Sequence, residues 1–101
     1  MIQVQKIACS NHAGFVMSFK AVCSDGGSND TDNYPINQTR VIDLAETALP
    51  EGTEVWPEVH PVFGPSRQSE PAHVQFALNG QTATYVVRST ALTYSVELVG
   101  G

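Results

Sequence analysis

Three side chains that can bind a ligand occupy alternate positions of one predicted strand, namely Trp56, Glu58 and His60. Residues two apart on a strand project from the same face, so these three are predicted to form one contact row. An exposed indole offers an apolar plane for a sugar ring or for a membrane interface. The neighbouring carboxylate and imidazole can hold hydroxyl groups by hydrogen bonds. The alternative is that Trp56 merely covers the edge of the sheet.

A long polar segment, 24–40, is predicted to be a loop, and loops of this length are often functional. Its carboxylates are of the ligand type that calcium prefers, which makes the segment a weak calcium candidate through Asp25, Asp30 and Asp32. The spacing of an EF-hand is not met, so a solvated glycine-rich loop is the alternative. At the end of the loop, Asn33 and Tyr34 are predicted to add to the ligand contacts. No other cofactor is expected.

Catalytic motifs are missing from the sequence. It has no Gly-x-Ser-x-Gly elbow and no glycine loop of the kind that cradles phosphate. The spacing of its three histidines, at positions 12, 60 and 73, matches no zinc motif. The two cysteines, Cys9 and Cys23, occupy core-facing positions of their predicted strands, and we expect both to be free, buried thiols. The sequence therefore predicts a protein that is not an enzyme.

The charge of the chain restricts its partners. Ten acidic residues stand against five basic ones, giving a net charge of −5. Nucleic-acid binding needs clustered Lys or Arg, whereas here the basic residues are scattered singly. We therefore expect no nucleic-acid partner and no simple docking on anionic membranes, although neutral lipid headgroups remain open. The first ten residues do not resemble a signal peptide, so we expect a cytoplasmic protein or one released by a leaderless route.

Alternation of apolar and polar residues, the pattern of half-buried strands, runs through nearly the whole chain. It is clearest over 15–23, and a change of phase near Gln5 predicts a β-bulge. A hairpin between 2–9 and 15–23 would place Cys9 and Cys23 too far apart to bridge. Pro57 and Pro61 predict that the strand over 53–63 is an edge strand or a bulged one, because proline cannot donate to a ladder.

Two tight turns are predicted in the last third of the chain. Asn79-Gly80 is a strong two-residue hairpin signal and would pair Val74 with Tyr85. A second two-residue turn at Ser89-Thr90 would pair Tyr85 with Tyr94. Both registers place the large apolar side chains on one face, and we expect the three tyrosines to be core or boundary residues.

Together these segments predict an all-β protein, a small antiparallel β-sandwich of about seven strands forming one domain over 1–101. An immunoglobulin-like or lectin-like outline is expected. In architecture and acidic composition the chain resembles lectin-like domains and the aegerolysin class of membrane-binding proteins, with no motif matched residue by residue.

Three functions are compatible with this description. The first is a non-enzymatic binding module for carbohydrate or lipid headgroups, which uses the contact row. The second is a structural or self-assembling subunit, such as an adhesin, inclusion or filament protein, with homo-oligomer contacts made by its hydroxyl-rich strands. The third is a small membrane-acting toxin of the β-sandwich type. Mutation of Trp56 and measurement of the oligomeric state distinguish the first two.

Overall fold

A computed structural model describes residues 1–62, 71–89 and 94–100. These residues form nine strands and a single 3-10 turn at Leu44–Glu46, without an α-helix. The strands are β1 (Gln3–Val4), β2 (Lys6–Asn11), β3 (Met17–Cys23), β4 (Gly26–Gly27), β5 (Thr39–Asp43), β6 (Glu54–Pro61), β7 (Val74–Phe76), β8 (Thr82–Ser89) and β9 (Tyr94–Gly100). The predicted all-β class is confirmed. Within the described ranges, no helix is long and apolar enough to cross a membrane.

The strands form two mixed sheets, one ordered β1-β7-β6-β3-β4 and the other β5-β2-β8-β9. Most neighbours are antiparallel, but β1 runs parallel to β7 and β2 runs parallel to β8. The prediction of a purely antiparallel arrangement is therefore only partly right. Alternation along a strand reports which side chains are buried, and it carries no information about the direction of the neighbouring strand.

Both sheets bury their inner faces in one hydrophobic core. Tyr34 and the alternating inward residues of four strands lie in this core, as the sequence pattern predicts; the strand residues are Met17, Phe19 and Ala21 of β3, Val55 and Val59 of β6, Ala83, Tyr85 and Val87 of β8, and Tyr94 and Val96 of β9. Each tyrosine hydroxyl donates to a backbone carbonyl: Tyr34 to Cys9, Tyr85 to Ala72 and Tyr94 to Val59. The expectation that the tyrosines are core residues is confirmed.

The change of phase near Gln5 marks a crossing between the sheets. The chain leaves β1 in the first sheet and enters β2 in the second, and the amides of Gln5 and Lys6 both donate to the carbonyl of Gln81. The hairpin considered between 2–9 and 15–23 does not form, because β2 and β3 belong to different sheets. Cys9, which is buried, and Cys23, which is half-buried, are both free thiols.

The strand with two prolines, β6, lies between β7 and β3, so its prediction as an edge strand is wrong. Its pairing explains how the prolines are accepted. The amide of Val62 donates to Val16 on the side of β3, so the odd-numbered residues of β6 turn their nitrogen atoms the other way. On that other side β7 pairs only with Glu54 and Val55. Pro57 and Pro61 lie beyond these two paired residues, so their missing amide hydrogens do not interrupt the ladder between β6 and β7.

The two predicted turns have different outcomes. Gly80 adopts a φ of 73°, as a turn requires, but β7 and β8 lie in different sheets, and Val74 pairs with Val55 instead of Tyr85. The hairpin of β8 and β9 does form, with Tyr94 paired to Ser89, four residues further along β8 than predicted. Because four is an even number, the same side chains still face the core. The predicted Ser89-Thr90 turn falls partly on 90–93, outside the described residues.

The free edge of β3 is closed by the segment that the sequence predicts to be a loop. Three residues of this segment each exchange two hydrogen bonds with one residue of β3: Ser28 with Ala21, Thr31 with Phe19 and Tyr34 with Met17. In each pair, the segment residue accepts a hydrogen bond from the β3 amide and donates its own amide hydrogen to the β3 carbonyl. Ser28 and Thr31 use their hydroxyl oxygens, at 2.9 and 3.1 Å, in place of a carbonyl. Close approach also needs Gly27, where a Cβ would lie 2.5 Å from the Ala21 carbonyl oxygen. The segment therefore completes the sheet edge.

Replacing Thr31 with Val is predicted to lower the free energy of unfolding by about 1–3 kcal/mol, because the Phe19 amide loses its acceptor at a partly buried position. Urea unfolding followed by circular dichroism measures the change. Thr84→Val is the matched control, since no side-chain hydrogen bond of Thr84 occurs among the described residues, and its effect is expected within about 0.5 kcal/mol. Equal effects of the two variants would contradict the edge-closing role.

Candidate functional site

The predicted contact row occupies the outer face of the first sheet. Trp56, Glu58 and His60 alternate along β6 with the buried residues Val55, Pro57 and Val59. The register sets Val22, Lys20 and Ser18 of β3 directly opposite the three row residues, in that order. Side chains at such opposite positions are close enough to interact. The outer face of β3 and β6 is therefore the candidate site.

Trp56 is half-buried and stacks on His73, with ring centroids 4.1 Å apart and an angle of 13° between the planes. Val22, its partner across β3, is only 8% exposed on the same face, so the two side chains shelter each other. His73 therefore covers one face of the indole. Its N–H group has no acceptor among the described residues and can donate to a ligand.

Two carboxylate–imidazole pairs flank the indole. Glu54 meets Nδ1 of His73, and Glu58 meets Nε2 of His60, each at 2.6 Å. The second pair is extended on both sides: Nζ of Lys20 lies 4.0 Å from the same Glu58 oxygen, and Nδ1 of His60 lies 3.3 Å from Asp30. Charges of opposite sign thus alternate from Lys20 to Asp30 when the His60 imidazole is protonated.

The second oxygen atoms of Glu58 and Asp30 are free to accept hydrogen bonds. Lys20 and His60 both contact Oε1 of Glu58, which leaves Oε2 without a partner within the part of the chain that the structure describes. Asp30 likewise contacts His60 through Oδ1 alone. All four side chains are between about a third and a half exposed, so their pairing contributes little to stability. The face can therefore offer acceptors and donors to a polar ligand.

Two catalytic arrangements are not formed by the described side chains of this face. Glu54 and Glu58 are four residues apart on one strand, about 13 Å at the rise of a strand, which exceeds the carboxylate spacing of glycoside hydrolysis. The Glu58–Asp30 pair has the His60 ring between its members. Ser18 faces His60, but both imidazole nitrogen atoms already meet carboxylates and are not available to activate a hydroxyl.

The three aspartates of the calcium candidate have separate surroundings. Asp25 is exposed, Asp30 contacts His60, and Asp32 forms a two-pronged ion pair with Arg40 at 2.9 and 3.3 Å. In the described ranges, no group of three or more His, Cys, Asp and Glu side chains is arranged to hold a metal ion. Arg40 also lies over the ring of Tyr34, with its guanidinium carbon 4.9 Å from the ring centroid.

Asn33 and Tyr34, predicted as further contact residues, do not join the row. Tyr34 is fully buried, its hydroxyl donates to the Cys9 carbonyl at 2.8 Å, and burial raises the pKa of its phenol. It anchors the edge-closing segment and offers no ring face to a ligand. Burial similarly raises the pKa of the Cys9 thiol to about 12. Asn33 is exposed and lines a separate depression with Phe15 and Val16.

Sequence reasoning missed several residues of the site. Lys20 was visible as an outward residue of 15–23, but its pairing with Glu58 needs the register of β3 with β6. His73 reaches Trp56 because β7 pairs with β6, which the predicted hairpin of β7 with β8 excluded. Asp30 reaches His60 because the segment that contains it follows the edge of β3. In each case the sequence did not reveal which strands or segments are neighbours, and the residue was therefore not assigned to the site.

Comparisons with protein-family models, with curated proteins and with solved structures gave no significant match. The arguments about function therefore rest on the site itself.

Asp32→Asn is predicted to reduce stability at neutral pH and to have little effect in acid. The Arg40 hydrogen bond lowers the pKa of Asp32 below its ordinary value, so the ionised pair stabilises the fold above that value and the stabilisation is lost as the pH falls through the lowered pKa. Urea midpoints measured from neutral pH to below about pH 3.9 test this. Asp25→Asn serves as the control, and a wild-type advantage that persists unchanged in acid would refute the assignment.

Proposed function

We propose that the protein is a non-enzymatic binding module that holds neutral carbohydrate on the outer face of β3 and β6. The observation that carries the proposal is the chain of polar side chains Lys20, Glu58, His60 and Asp30 beside the half-exposed Trp56. Its free carboxylate oxygens, indole N–H and ammonium group form a set of acceptors and donors on one sheet face. Such a set matches the hydroxyl groups of a sugar, each of which can donate and accept.

Charge and shape favour an uncharged ligand. An anion would meet Glu54, Glu58 and Asp30, and a cation would compete with Lys20 and with both imidazoles. A polyol meets neither obstacle. Polyol headgroups of lipids have the same chemistry, so the lipid-headgroup alternative belongs in the same test. The half-buried indole of Trp56 supplies apolar contact, although the stacking of His73 leaves less of its surface for a ligand than the sequence predicts.

The proposal includes the finer outline of the fold. Two sheets that bury their inner faces in one core support a β-sandwich, and immunoglobulin-like and lectin-like outlines are the sandwich types that we infer for it. We infer such an outline with two parallel pairings in place of a purely antiparallel one. It gives the site a rigid platform of paired strands.

On a glycan array that also carries glycolipids, the wild-type protein is expected to retain a subset of uncharged glycans. Glu58→Gln removes the charged acceptor while preserving its shape and should weaken that retention about tenfold or more. Trp56→Ala should abolish it. Glu97→Gln, an exposed position on β9, is the matched control and should bind as the wild type does.

Two outcomes would contradict the proposed site. One is that no glycan or glycolipid is retained by the wild-type protein. The other is that Glu58→Gln and Trp56→Ala, shown to be folded by circular dichroism, bind as strongly as Glu97→Gln.

A self-assembling subunit is the second candidate function, and the edges of the second sheet favour it. The edge strands β5 and β9 have no further partner strand among the described residues, and each exposes an apolar side chain, Val41 and Val99. Unprotected edges of this kind can pair with another copy of the chain. The edges of the first sheet, by contrast, are the two-residue strands β1 and β4.

Sedimentation velocity over a wide range of concentration tests this second candidate. Assembly through the edge of β5 predicts oligomers that Val41→Lys dissociates, because the ammonium group keeps strand edges apart. Leu78→Lys, which changes an exposed apolar residue of a turn, should leave the oligomers intact. A wild-type protein that remains monomeric at the highest concentration would rule the candidate out.

A further inference from the structure

An apolar patch covers the end of the molecule where β3 begins and β6 ends. It comprises Phe15, Val16, Pro35, Ile36 and Val62, and we call it the apolar end. These residues come from three separate connections, which meet because Met17 pairs with both Pro61 and Tyr34. Val16, Ile36 and Val62 are 41%, 49% and 45% exposed. Three aliphatic side chains clustered in this way differ from the singly scattered apolar residues that any surface carries.

Two depressions flank the ridge formed by Phe15 and Val16. One encloses about 440 Å³ and is lined by Asn33 and Val62 together with the ridge, and the other encloses about 260 Å³ and is lined by Pro35 and Ile36. No charged side chain lines either depression among the described residues. Contact of an apolar group with these described side chains therefore removes no charge from water.

Buried hydrogen bonds hold the apolar end in place. The side-chain amide of Asn11, itself fully buried, donates to the carbonyls of Phe15 at 2.8 Å and Tyr34 at 3.1 Å, and its oxygen accepts from the amide of Ala13. The ring of Phe15 packs edge-on against Tyr94, with centroids 5.5 Å apart. The exposed aliphatic groups therefore project from a fixed framework.

We propose that the apolar end inserts into the interface of an electrically neutral lipid bilayer. Its size favours a bilayer over a second copy of the chain, because the patch comprises five side chains in the described ranges, whereas each partner contributes roughly 20–30 residues to a stable protein interface. A bilayer needs no matching surface, and the two depressions offer room for lipid methylene groups. The net charge of −5 disfavours anionic headgroups and leaves zwitterionic ones.

The proposal goes beyond carbohydrate binding, because it concerns a different surface with residues outside the Trp56 row. The two can fail independently: a protein that binds glycans can ignore vesicles, and the reverse also holds.

Flotation with vesicles of pure phosphatidylcholine tests the insertion. The wild-type protein should float with them, and its bound fraction should fall when phosphatidylserine is added. Val16→Asp should reduce the partition coefficient at least tenfold, because a carboxylate would have to enter the bilayer interface. Ile36→Asp is a second variant with the same expectation. Leu78→Asp is the matched control, because Leu78 is 61% exposed in a turn outside the apolar end, and it should float as the wild type does.

Each remaining outcome would overturn the proposal. These are a wild-type protein that does not float, a Leu78→Asp variant that loses binding as fully as folded Val16→Asp, or vesicle binding that needs phosphatidylserine. If the wild-type protein instead forms a dimer that Val16→Asp dissociates, a second copy occupies the apolar end.

Discussion

The hydrogen bonds that close the free edge of β3 are the constraint on which the candidate site depends. A sheet edge must satisfy its backbone groups, and here Ser28, Thr31 and Tyr34 satisfy those of three alternate β3 residues. Two of the acceptors are hydroxyl groups, so the segment need not adopt the extended backbone of a strand. The bonding residues are three positions apart, and this spacing also determines where the carboxylates between them lie. Asp30 contacts His60, and Asp32 contacts Arg40.

The pairing of β3 with β6 supplies the other half of the site. Six residue pairs in continuous register bring Lys20 opposite Glu58 and Val22 opposite Trp56. A shift of this register by one residue would point the side chains of the Trp56 row into the core. The burial of Val55 and Val59 excludes such a shift. The same burial fixes the apolar end, since the register ends at Met17 and Pro61. Core packing thus determines the positions of two surfaces that do not themselves belong to the core.

Sequence periodicity was sufficient to predict the class of the fold and the faces of its strands, but not their neighbours. Trp56, Glu58 and His60 share the predicted outer face, and Phe19, Phe76 and Tyr94 are buried as expected. Alternation cannot specify partners, so β7 was paired with β8 and β6 was placed at an edge. The prolines of β6 misled because a strand that lies between two others can carry prolines at positions beyond its pairing with one of them. The sequence did not indicate the structural role of Asn11, because an asparagine that is buried and one in an exposed turn cannot be told apart from sequence alone.

Chemical-shift mapping by nuclear magnetic resonance is the most direct measurement of the central claim, that β3 and β6 present one polar binding face. Trp56 is the only tryptophan, so its indole N–H gives a single resolved signal beside the site. On titration with a glycan retained by the array, the account predicts shifts of that signal and of the amides of Lys20, Glu58 and His60. Shifts confined to β2, β8 or the apolar end, with the indole signal unmoved, would contradict it.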